Sequence, residues 1–227
     1  MDTLVLATHN AKKLRELQRI TLAAGLDITV LGLGDVASYP EPAETERTFE
    51  GNALIKARAA ASATGMPALA DDSGIEVDVL NRMPGVRSAR WAGPGASDAD
   101  NLDLLLRQID DVPDAERTGR FVCAMALVLP DGSEHVLRGT MEGRVGRDKR
   151  GDHGFGYDPA FIPEGYQQTT GELDPDAKDA ISHRGKAVRA MLALVAELNA
   201  GQRQDAGGSG SVAGPDSSPA PQQEARA

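Results

Sequence analysis

Between Thr3 and Leu31 the chain switches from one periodicity to another and back, and that switch limits the folds open to it. Thr3 to Ala7 is a short continuous apolar run, the pattern of a buried strand. Asn10 can cap the helix that follows, Leu14, Leu17, Thr21 and Ala24 recur at helical spacing, and Gly25 supplies a stop. Asp27 to Leu31 reads as the next strand. A strand–helix–strand opening buries its apolar faces only in a sheet covered by helices, so the pattern predicts an α/β fold.

The same reading carries along the chain. Gly32 to Arg47 is polar and holds prolines, so it is expected as a loop. A second, Ala-rich helix is expected from Phe49 to Thr64, closed by Gly65. A short strand, Ala68 to Ala70, leads into Asp71-Asp72-Ser73-Gly74, and Ile75 to Leu80 continues as strand. A third helix covers about Asp98 to Ile109. Phe121 to Leu129 and Glu134 to Leu137 flank Pro130-Asp131-Gly132-Ser133, a hairpin signal, and Gly139 to Gly146 is a further strand candidate. A glycine-rich loop spans Gly151 to Pro159, and Val188, Met191, Leu192, Val195 and Leu198 stripe a long final helix. From Gly201 to Ala227 the chain is rich in Gly, Ser, Pro, Gln and Ala with almost nothing to bury. The expected organisation is one domain over residues 1–200 and a disordered, dispensable tail over 201–227.

Charge and cysteine usage narrow the partners. The formal net charge of −10 is the wrong sign for a general nucleic-acid binder or for an anionic membrane face. An anionic substrate would therefore need locally clustered Lys and Arg. No apolar run approaches the ~18 residues needed to span a bilayer. The N-terminus lacks the basic region and cleavage site of a signal peptide. The one cysteine, Cys123, cannot form an internal disulfide and lies in the apolar run Phe121 to Leu127, so a cytoplasmic setting and a buried structural thiol are expected.

Five segments carry candidate chemistry. Thr8-His9-Asn10-Ala11-Lys12-Lys13 follows the first strand and opens the first helix, where unsatisfied N–H groups and the helix dipole favour an anion. Taken alone, the segment fits a capped surface helix with solvated lysines better. In Asp71-Asp72-Ser73-Gly74, adjacent carboxylates beyond a short strand suit Mg2+, which takes one or two carboxylates plus phosphate oxygens and water. The alternative is a plain Asp- and Ser-rich turn. In the stretch from Glu44 to Lys56, Asn52 and Lys56 share a helix face, as a phosphate-reaching lysine or as a solubilising pair. Gly154-Phe155-Gly156-Tyr157-Asp158-Pro159 lets backbone and ring approach a planar ligand, as a base-stacking loop rather than the alternative, a structural turn. In Lys178 with Ser182-His183-Arg184, Ser182 caps the last helix and places basic residues in its first turn, against the dipole.

Taken together, in this order and spacing over about residues 3 to 199, the segments resemble the inosine-triphosphate pyrophosphatase family, also called the dITP/XTP pyrophosphatases. That resemblance implies an elongated, mixed, twisted sheet with flanking helices, two lobes around a central active-site cleft, and a homodimer. It implies hydrolysis of non-standard purine nucleoside triphosphates to monophosphate and pyrophosphate, with Mg2+ as cofactor. Substrate is then held by Thr8, His9, Asn10, Ala11, Lys12 and Lys13, the triphosphate on Thr8, Asn10 and Lys13 with support from Lys56. Asp72 is the catalytic acidic residue and a metal ligand, Glu44 a second metal carboxylate, and Asp71 a support for the metal shell. Ser73 contacts substrate, and Phe155, Gly156, Tyr157, Asp158, Lys178, His183 and Arg184 form the nucleoside pocket. The chain departs from the family pattern at His9, Glu46 and His153, none of which touches the aspartates. Trp91 is expected in the core or at a dimer interface.

Overall fold

The computed structural model describes residues 1–207, with side chains as far as Gly201. β1 (Thr3–Leu6) pairs parallel with β2 (Thr29–Leu31) on one side and with the start of β3 (Ala68–Val77) on the other. Between β1 and β2 runs α1 (Ala11–Ala23), capped by Asn10, whose side chain accepts from the Lys12 N–H at 2.9 Å. Between β2 and β3 runs α2 (Phe49–Thr64). Thr48 caps it by accepting from the Gly51 N–H, and Gly65 ends it in the left-handed conformation at φ +66°. These boundaries agree with the helical spacing and the capping residues.

The remaining strands are antiparallel. β4 (Met83–Pro84) pairs with the far end of β3, and α3 (Asp98–Gln108) follows, capped by Ser97. β5 (Thr118–Val128) and β6 (Glu134–Val145) form a long hairpin around Asp131 and Gly132, and β7 (Phe161–Pro163) closes the sheet. The spatial order is β2-β1-β3-β5-β6-β7 with β4 on the side of β3. The sheet is thus mixed, with helices on its faces, as expected.

Several boundaries differ from the sequence pattern. Asp71 to Gly74 is no turn: it lies inside β3, and every residue from Ala68 to Val77 has a partner on β5. Glu134 to Val145 is likewise one strand, because β5 pairs along its whole length. Neither β7 nor α4 (Pro175–Ile181, capped by Asp174) is evident from periodicity. α5 runs from His183 to Gly207, beyond the expected limit near residue 200. The rest of the expected tail, 208–227, lies outside the described residues. Among the described residues no helix is long and apolar enough to cross a membrane.

The long hairpin threads two apolar cores. Cys123, Met125 and Leu127 pack with β1, α1 and the α5 stripe of Val188, Met191, Leu192 and Val195. Phe121, Met141 and Val145 pack instead with Ile75, Leu102, Leu105, Ile109 and Phe161, and Trp91 sits partly buried against this second core. On the opposite sheet face, Ala53, Ala57 and Ala60 let α2 lie close to Val5, Ala70 and Ala126. Gly139 allows a similar approach: a Cβ there would lie 2.1 Å from the His183 carbonyl oxygen, so the first turn of α5 rests on β6 backbone.

Arg117 ties the second core together. It is buried, and its guanidinium donates to the carbonyls of Ile109, Val145 and Gly146. Arg117→Met removes these donors and leaves buried acceptors unsatisfied, so it is expected to cost about 2–4 kcal/mol, read as a lower urea midpoint. An unchanged midpoint would show that the clamp contributes nothing.

Candidate active site

The site is organised by the exposed edge of β3. β1 stops at Leu6, its last pairing with β3 is at Leu69, and β4 begins to pair only at Glu76. Between those points β3 has β5 on one edge and no strand on the other. Side-chain groups partly occupy this edge: Ile75 N–H donates to Ser88 Oγ at 2.9 Å, and Ser73 N–H to Asp72 Oδ1 at 3.1 Å. Because strand side chains alternate, Asp71 and Asp72 leave the strand on opposite faces.

Asp72 faces α2. Asn52 donates to its Oδ2 at 3.0 Å, and the Asn52 amide oxygen accepts from the Glu46 N–H at 3.0 Å, so one side chain joins the aspartate to the loop before α2. Lys56, one helical turn on, places Nζ 2.7 Å from Glu44 Oε1 and 3.8 Å from Asp72 Oδ1. Arg90 donates to the other Glu44 oxygen at 3.1 Å. Burial pushes the Asp72 carboxyl above its ordinary value, with Glu44 and Asp71 adding to the effect against Lys56 and Asn52. Burial acts the same way on Glu44, but there Lys56 and Arg90 win and hold it low. The two carboxylates offer hard oxygen donors. Among the described residues no group of three or more His, Cys, Asp or Glu could hold a metal. Two carboxylates that leave other positions to phosphate and water fit Mg2+ rather than a metal caged by protein alone.

Asp71 faces α1 and α5. Its Oδ2 meets Lys13 Nζ at 2.7 Å and Ser73 Oγ at 2.8 Å, with Arg184 Nε at 3.6 Å. Burial would raise this carboxyl, but Lys13, Arg184 and Lys56 together hold it well below the carboxylate range. Asp71 is thus an anion held between cations, on the other face of β3 from Asp72. Cys123 packs beneath, its thiol pushed up to about 12 by burial and by Asp71, which suits an inert structural thiol.

The first turn of α5 completes this side. Ser182 caps it by accepting from the Gly185 N–H at 2.8 Å. His183 is buried and stacks on Phe121 with ring centroids 4.9 Å apart. Burial, then Arg184 and Lys178, push His183 well below its ordinary value, so it is neutral, and its Nδ1 has no hydrogen-bond partner. Of the two residues that precede Gly185 in this turn only Arg184 therefore carries charge against the dipole, and Glu16, at 3.1 Å, and Asp71 offset it.

The glycine-rich loop forms the opposite wall. Gly154 sits at φ +79°, and a Cβ there would lie 2.0 Å from Asp158 Oδ2. Buried Asp158 accepts from the Phe155 N–H and from Thr170 Oγ1, both at 2.8 Å, and pairs with Lys178. Asp98, at the start of α3, accepts from the Gly156 N–H at 2.9 Å. The Phe155 ring has Lys12, Lys178 and Arg184 cations 5.4–5.6 Å from its centroid. Tyr157 is buried and its hydroxyl donates to the Ser88 carbonyl at 2.8 Å, so it is a fixed wall.

These walls enclose a cleft of about 650 Å³. It is lined by His9, Asn10, Ala11, Lys12 and Lys13, by Ser73, by Phe155 to Asp158, and by Lys178, His183 and Arg184. Thr8 accepts from the Asn10 N–H at 3.2 Å and shapes the turn into α1. Glu44, Lys56 and Asp72 lie across β3. Lys56 and His9 line a smaller cavity of about 50 Å³ with Glu41, which is 3.6 Å from the imidazole. Sequence reasoning missed Arg90, Glu16, Asp98, Ser88 and Phe121, and gave Asn52 no link to Asp72. Only Asn52 had a local signal, its spacing to Lys56; the others act across long sequence separations.

Over most of its length the chain is similar to known proteins. The model of the Ham1 family matches residues 4–194. A dITP/XTP pyrophosphatase of Cutibacterium acnes is 59% identical over 201 residues, covering 87% of this chain and 98% of that protein. A HAM1 protein from Coxiella burnetii aligns with TM-score 0.80 and 41% identity, covering 87% of this chain and all of that one. A nucleoside-triphosphatase, or dITP/XTP pyrophosphatase, from Mycobacterium abscessus aligns with TM-score 0.70 and 48% identity, covering 84% and 98%.

The depressed Asp71 carboxyl makes a stability prediction. A folded-state pKa below the unfolded one adds stability that is fully present above the unfolded value, about 4, and is lost as pH falls towards the folded value. Asp71→Asn also leaves Lys13 and Arg184 without their buried partner. It is expected to cost about 3–5 kcal/mol at pH 7, with the gap to wild type narrowing below about pH 4 in urea titrations. A gap that widens on acidification would contradict the assignment.

Proposed function

The chain belongs to the Ham1 family, and from that premise we propose that it hydrolyses non-standard purine nucleoside triphosphates (ITP, dITP and XTP) to the monophosphate and pyrophosphate, keeping them out of DNA and RNA. The observation that carries this reading is the divergence of Asp71 and Asp72, one carboxyl held low among cations and its neighbour pushed up beside Glu44. A carboxylate with a raised pKa is the better proton acceptor, which fits Asp72 as the base.

Asp72 takes a proton from the water that attacks the α-phosphorus. The bond from that phosphorus to the bridging oxygen breaks, and pyrophosphate leaves. Mg2+ held by Asp72 and Glu44 would neutralise phosphate charge and polarise the phosphorus. Asn52 holds Asp72 in place. Lys13, the backbone N–H groups at the start of α1, Thr8 and Asn10 receive the phosphate chain, with Lys56 reaching it from the other face. The base enters between Phe155 and the first turn of α5. Inosine and xanthine present a 6-keto acceptor there, whereas adenine presents a donor. Donors from Arg184, His183 or nearby backbone favour the keto bases, and a site built on such bonds discriminates strongly. Guanine shares the keto group, so its rejection rests on the 2-position. The resemblance further supports a homodimer, the single cysteine fits a cytoplasmic setting, and the net charge of −10 disfavours nucleic acid or an anionic membrane face as partner.

Pyrophosphate release from ITP, XTP, GTP and ATP with Mg2+ tests the reading. ITP and XTP are expected to be cleaved fast, and Asp72→Asn to lose roughly 10²–10⁴-fold in kcat. Release of orthophosphate, or equal rates on all four, would overturn the reaction or the base pocket respectively. Because Asp72 must be unprotonated, kcat is expected to fall on acidification as that carboxylate takes up a proton. A kcat that does not fall on acidification would point to another base.

A further inference from the structure

Lys56 occupies a place that phosphate binding alone does not explain. Its ammonium is 2.7 Å from Glu44 and 3.8 Å from Asp72, and its side chain is 12% exposed. These are the two carboxylates assigned above to the divalent ion. A divalent ion and the ammonium cannot both sit against them without placing three positive charges on two negative ones. Arg90, already on the far oxygen of Glu44, adds to the excess. Asn52 keeps its own bond to Asp72, so Lys56 can leave without releasing the aspartate. Its stem is a flexible four-carbon chain on a helix that need not move. The small cavity it lines also reaches His9, at the turn where α1 begins.

We propose that Lys56 is an exchangeable counter-ion: it neutralises Glu44 and Asp72 until a divalent ion arrives with nucleotide, then gives up both carboxylates and turns to the phosphate oxygens. The inference rests on the metal site of the proposed function and adds a consequence to it. Phosphate gives the displaced ammonium a new partner, so metal and nucleotide bind with positive coupling, each raising the other's affinity by the same factor. The ion alone must compete with Lys56 and binds weakly.

The test is Mn2+ binding to nucleotide-free protein, followed by the paramagnetic resonance signal of the free ion. Lys56→Met is expected to bind Mn2+ about tenfold more tightly than wild type, within the usual range of coupling between sites. Lys56→Gln should behave alike, which keeps the test open if the Met variant folds poorly. Glu44→Gln and wild type are compared in parallel with a non-hydrolysable ITP analogue. Unchanged or weaker Mn2+ binding in both Lys56 variants, with binding lost in Glu44→Gln, would overturn the exchange and leave the metal site standing. Mn2+ binding indifferent to Glu44→Gln would overturn the metal site and the exchange with it.

Discussion

Successive side chains on a strand point to opposite faces, and in β3 this pleat separates two neighbouring carboxylates. Asp71 is turned towards Lys13 and Arg184, Asp72 towards Asn52, Lys56 and Glu44. On opposite faces each carboxylate meets its own set of partners, so one is held low among cations and the other is raised by burial. The strand backbone performs that separation itself, and the pairing of all ten β3 residues with β5 keeps its register from slipping. The cleft lies where β1 ends and leaves that edge of β3 accessible.

An acidic chain with a basic cleft is not a contradiction here. Three cations of the cleft are already held by acids: Lys13 by Asp71, Lys178 by Asp158, and Arg184 by Glu16. The acids fix the donors before substrate arrives, so little reorganisation is left for the moment of reaction. They also make buried positive charge tolerable, since an unpaired buried ion is far costlier than a paired one. His183 stays neutral chiefly because it is buried, with Arg184 and Lys178 adding to that effect against Asp71.

Small residues let these groups approach. The alanines of α2 bring its polar positions, Asn52 and Lys56, down to Asp72. Gly139 lets α5 rest on β6, which sets His183 over Phe121 and Arg184 over Asp71. Gly154 makes room for the Asp158 carboxylate that holds the Phe155 loop. A side chain at Gly139 or Gly154 would push a wall of the cleft outward.

The sequence by itself determined what local rules govern. Asn10 and Ser182 cap helices where the pattern placed them, Gly25 and Gly65 end them, and the order of the charged segments carried the family resemblance. Only the tertiary structure decided that Asp71 to Gly74 is strand, that the two aspartates part company, that Arg90 and Glu16 belong to the site, and that His183 carries no charge. The reason is range. A cap or a helical stripe is settled within a few residues. The state of Asp72 depends on α2, the loop before it and β5, and that of His183 on burial against Phe121 across the sheet, contacts that exist only after distant segments have packed.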